Sequence, residues 1–235
     1  MILTAVDYIR NVDTFAAIDY LLQQDDPFAV TTLFNDVIGH LYWEEKDLAN
    51  VIAIGRAGMQ YGLSKTAETE DINPEAADKI RLKVRALAFN VASYAWPGWD
   101  EEGITPNNTD VAFGYDAAKL LVRLVEEMEA EPVKMARAWW MLGVYQLAAG
   151  KNDRARNSFN LSADFAGKAF AKSEQLLAEA FRILAAAQEE PARARQRLAG
   201  SDLRAPRLLR PERASGLEDG RHRSAFHARR TLTGS

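Results

Sequence analysis

Along most of this chain, apolar residues return every three or four positions, the period of a helix with one buried face. Ile9, Phe15, Ile18 and Leu22 fall near one side of an opening segment, predicting a helix over about 4–23. Asp25-Asp26-Pro27 supplies acidic caps and a proline for a first turn, so the next helix is expected over about 27–43. A partner follows at about 46–62 and frays into the polar run 64–70. Asn73-Pro74-Glu75 opens a longer helix, about 74–95, which Pro97-Gly98 stops. Thr109 or Asp110 caps a helix to about 129, and Pro132 starts one that Gly150 ends. Asn152 or Asp153 caps a helix over about 153–167, and a last clear one runs over about 170–188. No segment alternates with the period of a strand, and no Asn-Gly or Asp-Gly turn joins two β-like runs. The predicted class is all-α, without a sheet.

Paired in order, these helices make antiparallel hairpins at 27–62, 74–129 and 132–167, and part of a fourth from 170: about three and a half hairpins. The third carries the most telling spacing. Trp139 and Leu142-Gly143 lie on its first helix, Gly150 at its turn, and Ala155 and Phe159 on its second helix. Gly143 and Ala155 let the two helices approach, while Trp139, Leu142 and Phe159 fill the volume around that contact. Gly150 suits a turn with left-handed backbone.

This Trp, Leu-Gly, Ala-x3-Phe pattern resembles one tetratricopeptide repeat. Tyr145 sits one residue early for that pattern, Ser162 replaces a small Ala, and no Pro closes the repeat. Hairpin starts near 27, 74, 132 and 170 do not keep a strict 34-residue period. The other hairpins match more loosely, through Ala49 or Ala57, through Leu87, Ala88, Ala117 and Leu121, and through Phe181, Ala194 and Leu198. The resemblance implies an α-solenoid of stacked hairpins whose first helices line a concave groove. It places Arg137, Trp140, Val144 and Ala148 on that groove. Trp140 stands where a charged clamp would carry Lys, so an apolar or helical ligand segment is expected rather than a chaperone tail. Two competing readings stand beside these: Trp140 packing against the neighbouring hairpin, and a generic helical bundle.

Composition narrows the chemistry. With 235 residues, 48% of them hydrophobic, the chain has material for a substantial core. Cysteine is absent, which excludes disulfides and thiolate metal sites and fits a cytoplasmic protein. Neither a signal peptide nor a membrane span is expected. Net charge is uneven. Residues 191–235 hold 11 Arg and 4 acids, whereas residues 1–190 hold 18 bases and 29 acids, a net of −11. An acidic body argues against nucleic acid as partner. The chain thus divides into a helical repeat domain, 1–190, and an Arg-rich tail, 191–235, read either as a disordered basic arm or as an out-of-frame stretch.

Catalytic patterns are lacking. There is no Gly-rich phosphate loop and no Gly-x-Ser-x-Gly elbow, and His40 is the one His before the tail. His40 and Glu44, four apart, are too few for a metal site. The loop 97–108 is long for a helical hairpin and carries Trp99, Asp100, Glu101 and Glu102, with Trp96 just before it. Its oxygen ligands lack the spacing of a calcium loop. Trp96 and Trp99 are the candidate binding residues there. The expectation is a non-catalytic adaptor or scaffold that binds a protein, peptide or helix in an apolar groove, with no cofactor and no metal. Self-association through exposed apolar edges is a related expectation. The alternative is a small-molecule or effector sensor with a Trp-lined pocket.

Overall fold

Five helices begin where a short polar side chain takes up a free backbone N–H of the first turn. Asp13 accepts from Ala16 N at 2.7 Å, Asp26 from Phe28 N at 3.0 Å, Asp47 from Asn50 N at 3.1 Å and Asn73 from Ala76 N at 3.1 Å. Asn107 accepts from Thr109 N and Asp110 N, and the Asp110 carboxylate accepts from Asn107 N in return, a reciprocal capping box.

A computed structural model describes residues 1–189. The Arg-rich tail, with both readings of it, and the roles expected of Ala194 and Leu198 lie outside them. The described helices are α1 (Ile2–Asn11), α2 (Thr14–Leu22), α3 (Pro27–His40), α4 (Leu48–Glu70), α5 (Pro74–Tyr94), α6 (Asn108–Glu127), α7 (Pro132–Ala148), α8 (Asn152–Lys168) and α9 (Lys172–Glu189). A π turn, Leu41–Glu45, follows α3, and a 3-10 turn, Pro97–Trp99, follows α5. Among the described residues there is no strand, and no helix is long and apolar enough to cross a membrane.

Several boundaries differ from expectation for local reasons. The opening helix is two, because Asp13 caps a new start inside an apolar run. The run 64–70 stays helical: Thr66 is buried and its hydroxyl donates to the Gly62 carbonyl, while the Lys65–Glu68 pair lies on the outside. Asn107, not Thr109 or Asp110, caps α6. α8 starts at Asn152 with Lys151 at the cap and no side-chain bond there.

Three successive helices, α6, α7 and α8, end alike. Glu129, Gly150 and Phe170 take left-handed backbone, with φ of 45°, 68° and 54°. One residue further on, an N–H reaches back five residues, from Ala130 to Val125, Lys151 to Gln146 and Ala171 to Ala166. These turns fall 21 and then 20 residues apart, so the α7–α8 pair occupies about 40 residues and not 34. Glu129 and Phe170 adopt a conformation that costs a residue with a Cβ on the order of 1–2 kcal/mol. The closed turn makes that cost tolerable.

All substantial helix contacts join elements adjacent in the chain or one apart. The α7–α8 contact forms as the spacing implied. A Cβ on Gly143 would come within 2.5 Å of the Phe159 ring, and Ala155 and Phe159 are wholly buried. Ser158 Oγ donates to Gln146 Oε1 at 2.7 Å, and Ser162 Oγ donates to the Ala136 carbonyl at 2.8 Å. The departure at Ser162 therefore adds a hydrogen bond between the paired helices.

In the first hairpin Ala49 is exposed and Ala57 packs partly against the core, while the tightest small contacts are Gly55, Gly58 and Gly62, one stripe along α4. A Cβ at Gly55 would meet Val91 at 2.5 Å, one at Gly58 would meet Phe34 and Leu87 within 2.8 Å, and one at Gly62 would collide with Val84. α3 and α5 both press into this stripe. Gly58→Ala is expected to destabilise the protein by about 1–3 kcal/mol through overpacking, despite the better helix propensity of Ala. Gly167, in the last turn of α8, has open space around its Cβ position. Gly167→Ala is expected to stabilise by up to about 1 kcal/mol. Urea unfolding of both variants checks the pair, and shifts of the same sign would contradict it.

Candidate functional site

The last turn of a helix leaves carbonyls without intrahelical partners. At the end of α5 two of these are taken by side chains. The Tyr145 hydroxyl, from α7, donates to the Ala92 carbonyl at 2.6 Å, and Trp99 Nε1 donates to the Ser93 carbonyl at 2.8 Å. The Tyr145 ring meets Trp96 edge-on at 5.3 Å and stacks on Tyr115 of α6 at 6.0 Å. Gly114 leaves room for the hydroxyl; a Cβ there would collide with it. Burial pushes the Tyr145 phenol far above its ordinary range, so it stays protonated and keeps donating. Burial likewise pushes Tyr94, stacked on Tyr42 at 4.1 Å, up to about 12.

Away from this junction, α5 and α7 leave a cleft of about 140 Å³ between them. Its floor is apolar: Ala86 and Phe89 of α5, and Leu121 and Val125 of α6. Its polar rim is Arg85 and Asn90 of α5, with Lys134 and Arg137 of α7. Three cations and no acid line it, in a body whose net charge is −11.

The rim is held from outside. Asn90 Nδ2 donates to Asn35 Oδ1 of α3 at 2.9 Å. Arg137 Nη2 pairs with Glu174 Oε1 of α9 at 2.8 Å, and Arg137 Nε is buried without an acceptor. Burial raises the Glu174 carboxyl, but the Arg137 hydrogen bond, a backbone hydrogen bond and the Arg137 charge together outweigh it, and the group sits below its ordinary value. Next to Asn35, Asp36 is shifted the other way: burial raises it, and Lys83 only partly offsets the effect.

The expected groove is distributed differently. Arg137 borders the cleft. Trp140 is 3% exposed, stacked on Trp99 at 5.9 Å and edge-on to Phe181 of α9 at 5.2 Å. Val144 is wholly buried, and Ala148 is exposed near the end of α7. The stripe 137–140–144–148 is one helix face, but α9 lies over its middle. Trp140 thus has the packing role that stood as the competing reading.

Trp96 and Trp99 are half-buried and pin the connection between α5 and α6. Lys46 Nζ to Glu101 Oε1, at 2.9 Å, fastens the same connection to the π turn. None of the five tryptophans lines the cleft. His40 contacts Glu45 at 3.3 Å rather than Glu44, because the π turn shifts the register by one residue. Glu45 also accepts from Arg10 of α1 at 2.6 Å, which holds its carboxyl below the usual range. No three potential metal-ligating side chains converge among the described residues.

Sequence reasoning missed Arg85, Phe89, Asn90 and Lys134. They lie on two helices whose cleft residues are some 45–50 positions apart, and a third helix supplies the rest of the floor. No short motif joins them. Compared with family models, curated proteins and solved structures, the chain matches none.

A carboxyl whose folded-state pKa is raised stabilises the fold when protonated. Its unfavourable contribution appears as pH rises from the unfolded value of about 3.9 through the raised folded one. Asp36→Asn is therefore expected to raise the thermal midpoint at pH 7 and to lose that advantage below about pH 4. Melting curves across this range check it; an equal effect at both pH values would contradict the assignment.

Proposed function

We propose that this chain is a non-catalytic adaptor: an array of stacked helical hairpins, of tetratricopeptide-like kind, that binds a segment of a partner protein in the cytoplasm. Packing that joins each helix mainly to those one or two places along the chain supports the array, since each hairpin needs only the next one to bury its apolar face. The observation that carries the binding role is the cleft between α5 and α7. It is a concave, apolar-floored site with a polar rim, on which side-chain bonds hold Asn90 and Arg137 in place before any ligand arrives. Preorganisation of this kind lowers the ordering cost of association.

A small-molecule sensor has less support. The α5–α7 cleft, at about 140 Å³, is well under the roughly 300–1,000 Å³ of most ligand pockets, and the wider depression of about 360 Å³ between α4 and α6 contains no tryptophan. The indoles that would have marked such a pocket are engaged in packing.

A diazirine-bearing residue placed at Ala86, in the cleft, tests the proposal against one at Asn160, exposed on α8. Irradiation of the full chain in cell extract is expected to give a discrete protein adduct from position 86 and none from position 160. No adduct at 86, or the same adducts from both positions, would overturn it.

A further inference from the structure

The depression between α4 and α6, of about 360 Å³, shares no lining residue with the cleft. α4 contributes positions 56, 59, 60 and 63, and α6 contributes 113, 116, 117 and 120. Both sets follow the i, i+3, i+4, i+7 spacing of a single helix face, so about two turns of each helix form the walls. The two ends differ in character. At one, the Arg56 guanidinium lies on the Phe113 ring, 4.3 Å from its centroid. At the other, Leu63 and Leu120 pack against Ile80, Val84 and Leu124. Between them Met59 and Ala117 are buried and give an apolar floor. Asp116, on the rim, is taken up by Lys119 at 2.6 Å. Arg56 has no carboxylate partner among the described residues. Stacking uses the face of its guanidinium and leaves the N–H groups at the edge free to donate.

We infer that this depression binds an alkyl carboxylate of medium chain length. The carboxylate meets the edge of the Arg56 guanidinium, and the chain lies along Met59 and Ala117 with its end between Leu63 and Leu120. Length sets the chain. Seven residues of helix rise about 10 Å. A saturated chain with the bond length and angle of backbone carbon advances roughly 1.25 Å per bond. About eight carbons therefore reach from one end to the other. The volume falls in the range of small-ligand sites, roughly 300–1,000 Å³. Charge sets the head: an amide would leave the guanidinium without a counter-charge, and an amine would be repelled. The site goes beyond the adaptor reading, and it depends neither on that reading nor on any indole.

The test is a nuclear magnetic resonance titration of the full chain with sodium octanoate. Saturable shifts are expected in 56–63 and 113–120, and none in 85–90 or 134–137. Butanoate keeps the head and half the chain, and octanamide keeps the chain without the charge. Each should bind at least fivefold more weakly than octanoate. A fully buried CH₂ is worth about fourfold in affinity, and an open depression covers only part of each one. Arg56 is exposed, so Arg56→Gln leaves the fold intact. That variant should bind octanoate at least fivefold more weakly and octanamide unchanged. Octylamine binding as tightly as octanoate would overturn the inference. Equal binding of acetyl-Leu-Leu with a free C-terminus would also overturn it, by making the ligand a peptide end. So would absent octanoate shifts, shifts spread along the whole chain, or undiminished octanoate binding by Arg56→Gln protein. Cross-linking from position 86 reports on the cleft alone, so the adaptor reading stands or falls separately.

Discussion

One hydroxyl holds the middle of this protein together. Tyr145 reaches from α7 to the Ala92 carbonyl at the end of α5, and much of the surrounding structure is arranged to let it do so. Gly114 on α6 vacates the space the hydroxyl occupies, and Trp96 and Tyr115 enclose the ring. The bond satisfies a carbonyl that would otherwise be buried without a partner, a deficit of about 1–3 kcal/mol. Because α5 and α7 are joined at this end, the space toward the start of α7 stays open with α6 as its floor. The junction and the cleft are two consequences of one placement.

Rigidity on either side serves the same end. The α4 glycines bring three helices close enough that Phe34, Val84, Leu87 and Val91 bear directly on the α4 backbone. On the other side, Gly143 and Phe159 lock α7 to α8, and α9 covers Trp140. Asn35 to Asn90 and Arg137 to Glu174 then extend that rigidity to the rim residues. Each rim side chain with such a partner presents its polar group at a set position, and a ligand need not order it.

Much of the helical order was legible in the chain. Gly143, Gly150, Ala155 and Phe159 do what their spacing implied, because residues on one hairpin are near both in sequence and in space. Asp26-Pro27 and Asn73-Pro74 mark true starts, since a cap acts within one turn. What was not legible depended on distant partners. The glycine stripe on α4 looks like poor helix sequence until Val84 and Leu87 are placed against it. Glu129 and Phe170 carry no sign of left-handed backbone; only their similarity to the Gly150 turn shows it. Trp140 looked like a groove residue because nothing local to α7 shows α9 above it. The cleft gathers residues from three helices, and the acidic average of the body conceals three cations brought together by packing.

Hydrogen exchange of Tyr145→Phe, followed by mass spectrometry, tests the junction most directly. Losing the hydroxyl should cost protection in 85–99 and 134–148 together, by roughly tenfold to a hundredfold for a deficit of about 1–3 kcal/mol. The first two helices, residues 2–22, should keep their protection, because their substantial contacts are with each other, α3 and α4 and not with α5 or α7. Unchanged exchange at the end of α5, or an equal loss in 2–22, would contradict the account.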